Sequence, residues 1–88
     1  MNVEYRRKFL KDLASIPSKV RREIEEFAFT DLPRMNSVAE SRKLERMKGY
    51  PTFYKVRFGS YRIGIKLEDD VVVFETVLHR RDIYRYFP

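Results

Sequence analysis

Eighty-eight residues with a net charge of +6 leave room for one domain, residues 1–88, and one main core. The chain has no cysteine, which excludes a disulfide framework and a thiolate metal site, and no apolar run approaches the length of a membrane span. Nineteen Lys and Arg against thirteen Asp and Glu on so small a body attract polyanions, either nucleic acid or an acidic protein.

The opening Met1-Asn2-Val3-Glu4-Tyr5-Arg6-Arg7 lacks the apolar stretch of a signal peptide, so a cytoplasmic soluble protein is expected. Asn2–Tyr5 alternates and predicts a short edge strand. From Arg6 the pattern turns helical, with Phe9, Leu10, Leu13 and Ile16 at spacings of three or four. Pro17 breaks that helix and Ser18 is a suitable N-cap for the next, whose apolar stripe is Val20, Ile24, Phe27 and Ala28 before Pro33 ends it. The two predict an antiparallel helical hairpin with one apolar side. Residues 32–48 are largely polar and read as a loop, with one helical turn around Leu44 and Met47.

Three strands follow, at Phe53–Phe58, 61–67 and Val71–His79, rich in β-branched and aromatic residues. Gly59-Ser60 suits a two-residue type II′ turn, and Glu68-Asp69-Asp70 turns the chain again. The expected fold class is α+β: an N-terminal helical hairpin packed on a small antiparallel sheet of three to four strands.

Side chains alternate along a strand, so a turn at Gly59-Ser60 sets Phe58 opposite Tyr61, Arg57 opposite Arg62, Val56 opposite Ile63 and Lys55 opposite Gly64. One face then carries Tyr54, Val56, Phe58, Tyr61, Ile63 and Ile65, and belongs to the core. The other carries Lys55, Arg57, Arg62 and Lys66 around a gap at Gly64. A two-residue Asp69-Asp70 turn adds Val73, Glu75, Val77 and His79 to this second face. Like charges opposite one another cost stability, and one acid does not balance four cations, so the face is suited to an external anion. His79-Arg80-Arg81-Asp82-Ile83-Tyr84 leaves the last strand at its edge, adding cations, the single His and a Tyr. Arg clamps phosphate, while Lys, His and Tyr are the candidates for proton transfer. The sequence offers no carboxylate cluster for Mg²⁺, so metal- and cofactor-independent chemistry is expected. That favours RNA, which brings its own 2′-hydroxyl nucleophile.

The run Lys55-Val-Arg57-Phe-Gly59-Ser-Tyr61-Arg62-Ile63, then Val71-Val72-Val73-Phe74 and His79-Arg80-Arg81-Asp82-Ile83-Tyr84, resembles the RelE/ParE toxin superfamily. Phe9-Leu10-Lys11-Asp12-Leu13 and Arg42-Lys43-Leu44 fit the same pattern, and the ending Tyr84-Arg85-Tyr86-Phe87-Pro88 is like that of archaeal RelE toxins. The resemblance implies the toxin of a type II toxin–antitoxin system. It implies an endoribonuclease that cleaves mRNA in the ribosomal A site by 2′-hydroxyl attack, leaving a 2′,3′-cyclic phosphate and inhibiting translation. Carried over by position, Lys55 is the base, Arg57 a phosphate clamp and Arg62 the stabiliser of the transition state. Arg80 or Arg81 is the general acid, Tyr84 stacks on or orients a base, and His79 has counterparts in some members only. A cognate acidic antitoxin is the implied protein partner, covering the basic face, the C-terminal tail or both.

Other readings stay open. The ParE branch binds DNA gyrase without being a nuclease, and a non-catalytic RNA- or ribosome-binding module would use the same face. Residue by residue, His79 also reads as a strand end, Tyr84 as a packing anchor, Lys66 as solvated, and Phe58 and Tyr61 as core.

Overall fold

The structure, a computed structural model, describes all 88 residues. In chain order it contains β1 (Asn2–Tyr5), α1 (Arg7–Ala14), α2 (Ser18–Glu26), β2 (Leu44–Arg46), β3 (Phe53–Phe58), β4 (Tyr61–Glu68), β5 (Val71–His79) and α3 (Ile83–Tyr86). The class is the expected α+β, but the sheet has five strands in the order β1-β5-β4-β3-β2. It is mixed: β1 runs parallel to β5, with Asn2 beside Val71 and Tyr5 beside Phe74. The stretch read as a loop supplies β2, antiparallel to β3 with Glu45 beside Lys55. Three residues are too short for an alternating pattern to stand out, and their pairing is defined only by the neighbour they meet.

The helices cover one face. Phe9 and Leu13 of α1 and Ile24 of α2 join Phe27, Leu32, Val56, Ile63, Ile65, Val72 and Phe74 in the main core. Each fully buried side chain of this size contributes about 1.5–3 kcal/mol. Ring contacts bind the layers, Phe9 to Phe74 at 5.1 Å and Phe27 to Phe58 at 5.5 Å between centroids. Ser18 proves to be the first helical residue, with Pro17 at the cap position and no side-chain cap bond. Beyond Glu26 the helix widens into one π turn at Phe27–Asp31 and tightens into a 3-10 turn at Leu32–Arg34 containing Pro33.

The β3–β4 hairpin has the predicted register, Arg57 opposite Arg62 and Lys55 opposite Gly64. Gly59, at the first turn position, has φ +57°, the conformation glycine adopts without a Cβ penalty. The β4–β5 pair departs from expectation. Val73 lies beside Lys66 as predicted, but a bulge between Gly64 and Ile65 leaves Glu75 unpaired and shifts the register by one. Val77 then pairs with Ile63 and His79 with Tyr61, on the core side, while Leu78 takes the place beside Arg62. Asp12 of α1 absorbs the bulge: its Oδ2 accepts bonds from Thr76 Oγ1 at 2.7 Å and Val77 N at 3.3 Å.

Candidate functional site

Three strands, the turn after β5 and the tail bring Glu45, Lys55, Arg57, Arg62, Arg80 and Tyr84 around one cleft of about 360 Å³. Alternation places Lys55 and Arg57 on the same side of β3 and Arg62 opposite Arg57 on β4. The turn after β5 is fastened to the hairpin by Arg80 N donating to Ser60 O at 2.7 Å, which sets the Arg80 side chain at the cleft.

Arg62 is held by its own hairpin, Nη1 donating to Gly59 O and Tyr61 O at 2.9 Å each. Two backbone acceptors fix the guanidinium without neutralising it. Burial, then the charges of Arg57 and Arg80, hold its pKa below the ordinary arginine value, and Glu45 opposes them. A cation with no compensating partner and two cationic neighbours is poised to take an anion.

Lys55 Nζ donates to the Tyr84 hydroxyl, lies 4.5 Å from the centre of the Tyr84 ring, and stands 3.8 Å from Glu45 Oε2. Glu45 is largely exposed, so this pair adds little stability. Its effect is local: it is the single carboxylate among four cations, and it orients the lysine that faces them. No group of three or more His, Asp or Glu side chains stands together anywhere in the chain.

The structure thus brings together Lys55, Arg57, Arg62, Arg80 and Tyr84, and leaves His79 and Arg81 out of the cleft lining. The bulge turns His79 toward Tyr61, with ring centres 5.6 Å apart. His79 Nδ1 accepts from Arg81 N at 3.2 Å and Arg81 Nε at 3.4 Å, so these two residues serve each other. Of the two neighbouring arginines, Arg80 is the one at the cleft.

The expected gap at Gly64 is filled. Phe87 lies over it so closely that a Cβ on Gly64 would stand 2.8 Å from the ring. Ile83 at the start of the short α3 and Phe87 just after its end form with Met47 a second small core against Phe53 and Leu78. Burying these two residues turns Tyr84 toward Lys55. Glu45 and the Ile83–Phe87 anchor are the functional elements that the sequence reading missed. The spacing of Ile83 and Phe87 was a usable signal, whereas the place of Glu45 depended on recognising β2.

The chain is similar to known proteins in both sequence and fold. Residues 3–84 match the family model described as the ParE toxin of type II toxin–antitoxin systems, parDE. Over its full length the chain is 37% identical to Toxin RelE3 of Methanocaldococcus jannaschii, all of which is covered. Among solved structures it resembles the toxin chain of the RelB–RelE antitoxin–toxin complex from Methanococcus jannaschii, with a TM-score of 0.78 and 37% identity over 97% of this chain and 99% of that one. The isolated Escherichia coli RelE toxin shares the fold, with a TM-score of 0.66 at 19% identity over 96% of each chain.

Proposed function

The chain belongs to the RelE/ParE family of toxins of type II toxin–antitoxin systems, and from that membership we propose that it is a metal-independent endoribonuclease that cleaves mRNA. The observation that carries the proposal is the cleft itself, where four cations and a tyrosine converge against one carboxylate. A gyrase-binding surface has no need of such a convergence, whereas a phosphodiester passing through a dianionic transition state does.

In the proposed reaction the RNA 2′-hydroxyl attacks the adjacent phosphorus and its proton passes to Lys55, which acts as the neutral amine and becomes a cation beside the phosphorus as negative charge accumulates there. Arg57 and Arg62 hold the non-bridging oxygens as charge accumulates, in the bidentate geometry that guanidinium suits. The bond to the 5′-oxygen breaks, and Arg80 is the proposed donor to that oxygen, hydrogen-bonding it as charge develops and relaying a proton that the guanidinium regains from water. A 2′,3′-cyclic phosphate and a 5′-hydroxyl remain. Tyr84 orients Lys55 through its hydroxyl and offers a ring to the neighbouring base. Since relatives are known bound to RelB, we propose a cognate acidic antitoxin for this chain too, covering the basic face, the C-terminal tail or both. The proposed setting is the ribosomal A site in the cytoplasm.

The test is induction of the wild type and Arg62→Ala in a bacterial host, following growth and mRNA integrity, with Tm as a check on folding. Growth arrest with cut mRNA is expected for the wild type. Arg62→Ala should lower cleavage on the order of 10²–10³-fold, the usual effect of removing one preorganised donor from a transition state. Arrest with intact mRNA would replace the ribonuclease with a gyrase binder, and no arrest would reject the toxin reading.

A further inference from the structure

Large exposed apolar side chains are few, namely Leu10, Phe29, Tyr50, Tyr84 and Tyr86. Three of the five are tyrosines on the tail or on the loop between β2 and β3. Tyr84 belongs to the cleft already described. Tyr50 does not: it is 48% exposed at the tip of the β2–β3 loop and borders a separate cavity of about 490 Å³ lined by residues 46–51. That cavity contains two cations, Arg46 and Lys48, and no acid. The loop is also braced. Tyr50 N donates to Met47 O at 3.0 Å, Met47 N donates to Phe53 O at 2.8 Å, and Gly49 supplies the positive φ the turn requires.

Tyr50 is pre-oriented as well as exposed. Its ring meets Phe53 edge-on at 5.9 Å and 90°, and Phe53 meets Phe87 edge-on at 5.5 Å. Phe87 anchors the tail that carries Tyr84, so three rings in contact join that anchor to the loop. Along β3, Phe53 is two residues from Lys55 on the same face, about 7 Å at the usual strand rise. That is comparable with one nucleotide step of an extended single strand.

We propose that the β2–β3 loop is a second nucleotide subsite, where a base of the bound RNA stacks on Tyr50 and its phosphate meets Lys48 or Arg46. The inference rests on the ribonuclease reading and adds where the strand goes beyond the scissile phosphate. Fixed aromatic faces interleaved with cations are the recurring composition of single-strand binding surfaces, and stacking tolerates any base. Arg46 and Lys48 are the charged residues of the cavity and no acid balances them, which suits a phosphate, while Met47 and Pro51 supply apolar lining. Tyr50 adds affinity for RNA long enough to reach it and nothing for RNA confined to the cleft.

Fluorescence anisotropy with 2′-O-methyl RNA, which lacks the free nucleophile, tests this on the purified chain. Dinucleotides and pentanucleotides are compared on wild type, Tyr50→Ala, Tyr50→Phe and Lys48→Ala. Tyr50→Ala should weaken pentanucleotide binding about tenfold and leave the dinucleotide within about twofold, while Tyr50→Phe keeps nearly full affinity. Lys48→Ala should weaken the pentanucleotide and flatten its salt dependence. Pentanucleotide binding unchanged in Tyr50→Ala, while the wild type binds RNA, would overturn the subsite and spare the ribonuclease. Wild type that binds no RNA of either length would overturn the ribonuclease reading and this one with it. Loss confined to antitoxin affinity in Tyr50→Ala would make the loop a protein anchor and overturn the subsite.

Discussion

Arg57 and Arg62 face each other across β3 and β4, an arrangement that costs the hairpin a few tenths of a kcal/mol or more. The cost persists because the hairpin's own carbonyls hold Arg62 without cancelling its charge. A different residue shows the opposite economy. Tyr5 donates its hydroxyl to Ala28 O at 2.5 Å, joining β1 to the π turn that follows α2, and burial raises its pKa above the usual value of 10.0. A folded-state pKa above the unfolded one means that ionisation favours the unfolded chain. This contribution is therefore intact below pH 10.0 and is lost as the pH rises through the folded value. Tyr5→Phe should cost about 1 kcal/mol at neutral pH and show a shallower loss of stability above pH 10.0. Urea midpoints at the two pH values measure both effects. An alkaline loss as steep in Tyr5→Phe as in the wild type would clear Tyr5 of it.

At the scale of elements, the two tight turns of the meander differ in how well their residues suit them. Gly59 fits its positive φ, but Asp69 and Asp70 both adopt positive φ, 49° and 67°, the type I′ pattern that favours Asn-Gly. A left-handed non-glycine residue costs roughly 1–2 kcal/mol, less for Asp than for most. Asp70→Gly should therefore raise stability by about 0.5–1 kcal/mol, which for a domain of this size is about 2–8 °C in Tm. A lower Tm in thermal unfolding would show instead that the Asp70 side chain is needed where it borders Met1 and Asn2. The register of β3 and β4 was legible because Gly59-Ser60 and strict alternation fix it locally. With it came the relative places of Lys55, Arg57 and Arg62. The bulge at Glu75 was not legible, since it depends on Asp12 arriving from α1. That one slip moved His79 off the basic face. The same limit hid β2 and Glu45, as a three-residue edge strand exists only through its pairing with β3. Basic and aromatic residues could be counted in the sequence, but Arg80 could be told from Arg81 only by the turn that follows the bulge.

Across the whole molecule, two cores on opposite faces share one sheet, and the cleft lies where the smaller one reaches its edge. Gly64 is the meeting point, since any side chain there collides with Phe87. Gly64→Ala should lift the tail while leaving the main core folded. Tyr84 and Arg80 would be misplaced, and RNA cleavage should fall on the order of 10²-fold, as expected when catalytic groups move by about an ångström. Faster proteolysis of the tail, with Tm little changed, should accompany the loss. Undiminished cleavage would show that the docked tail is dispensable. The parallel pairing of β1 with β5 carries a consequence in time. Chains are made from the N-terminus, so Asn2–Tyr5 emerges early yet has no strand to join until Val71–Phe74 has followed. Closing that long loop is among the slower steps a small domain can take. Arg80 and Tyr84 are made later still. A nascent chain therefore carries its cations into the cell well before it can aim them, and under the proposed pairing an antitoxin would have that interval in which to meet the chain before its cleft is assembled.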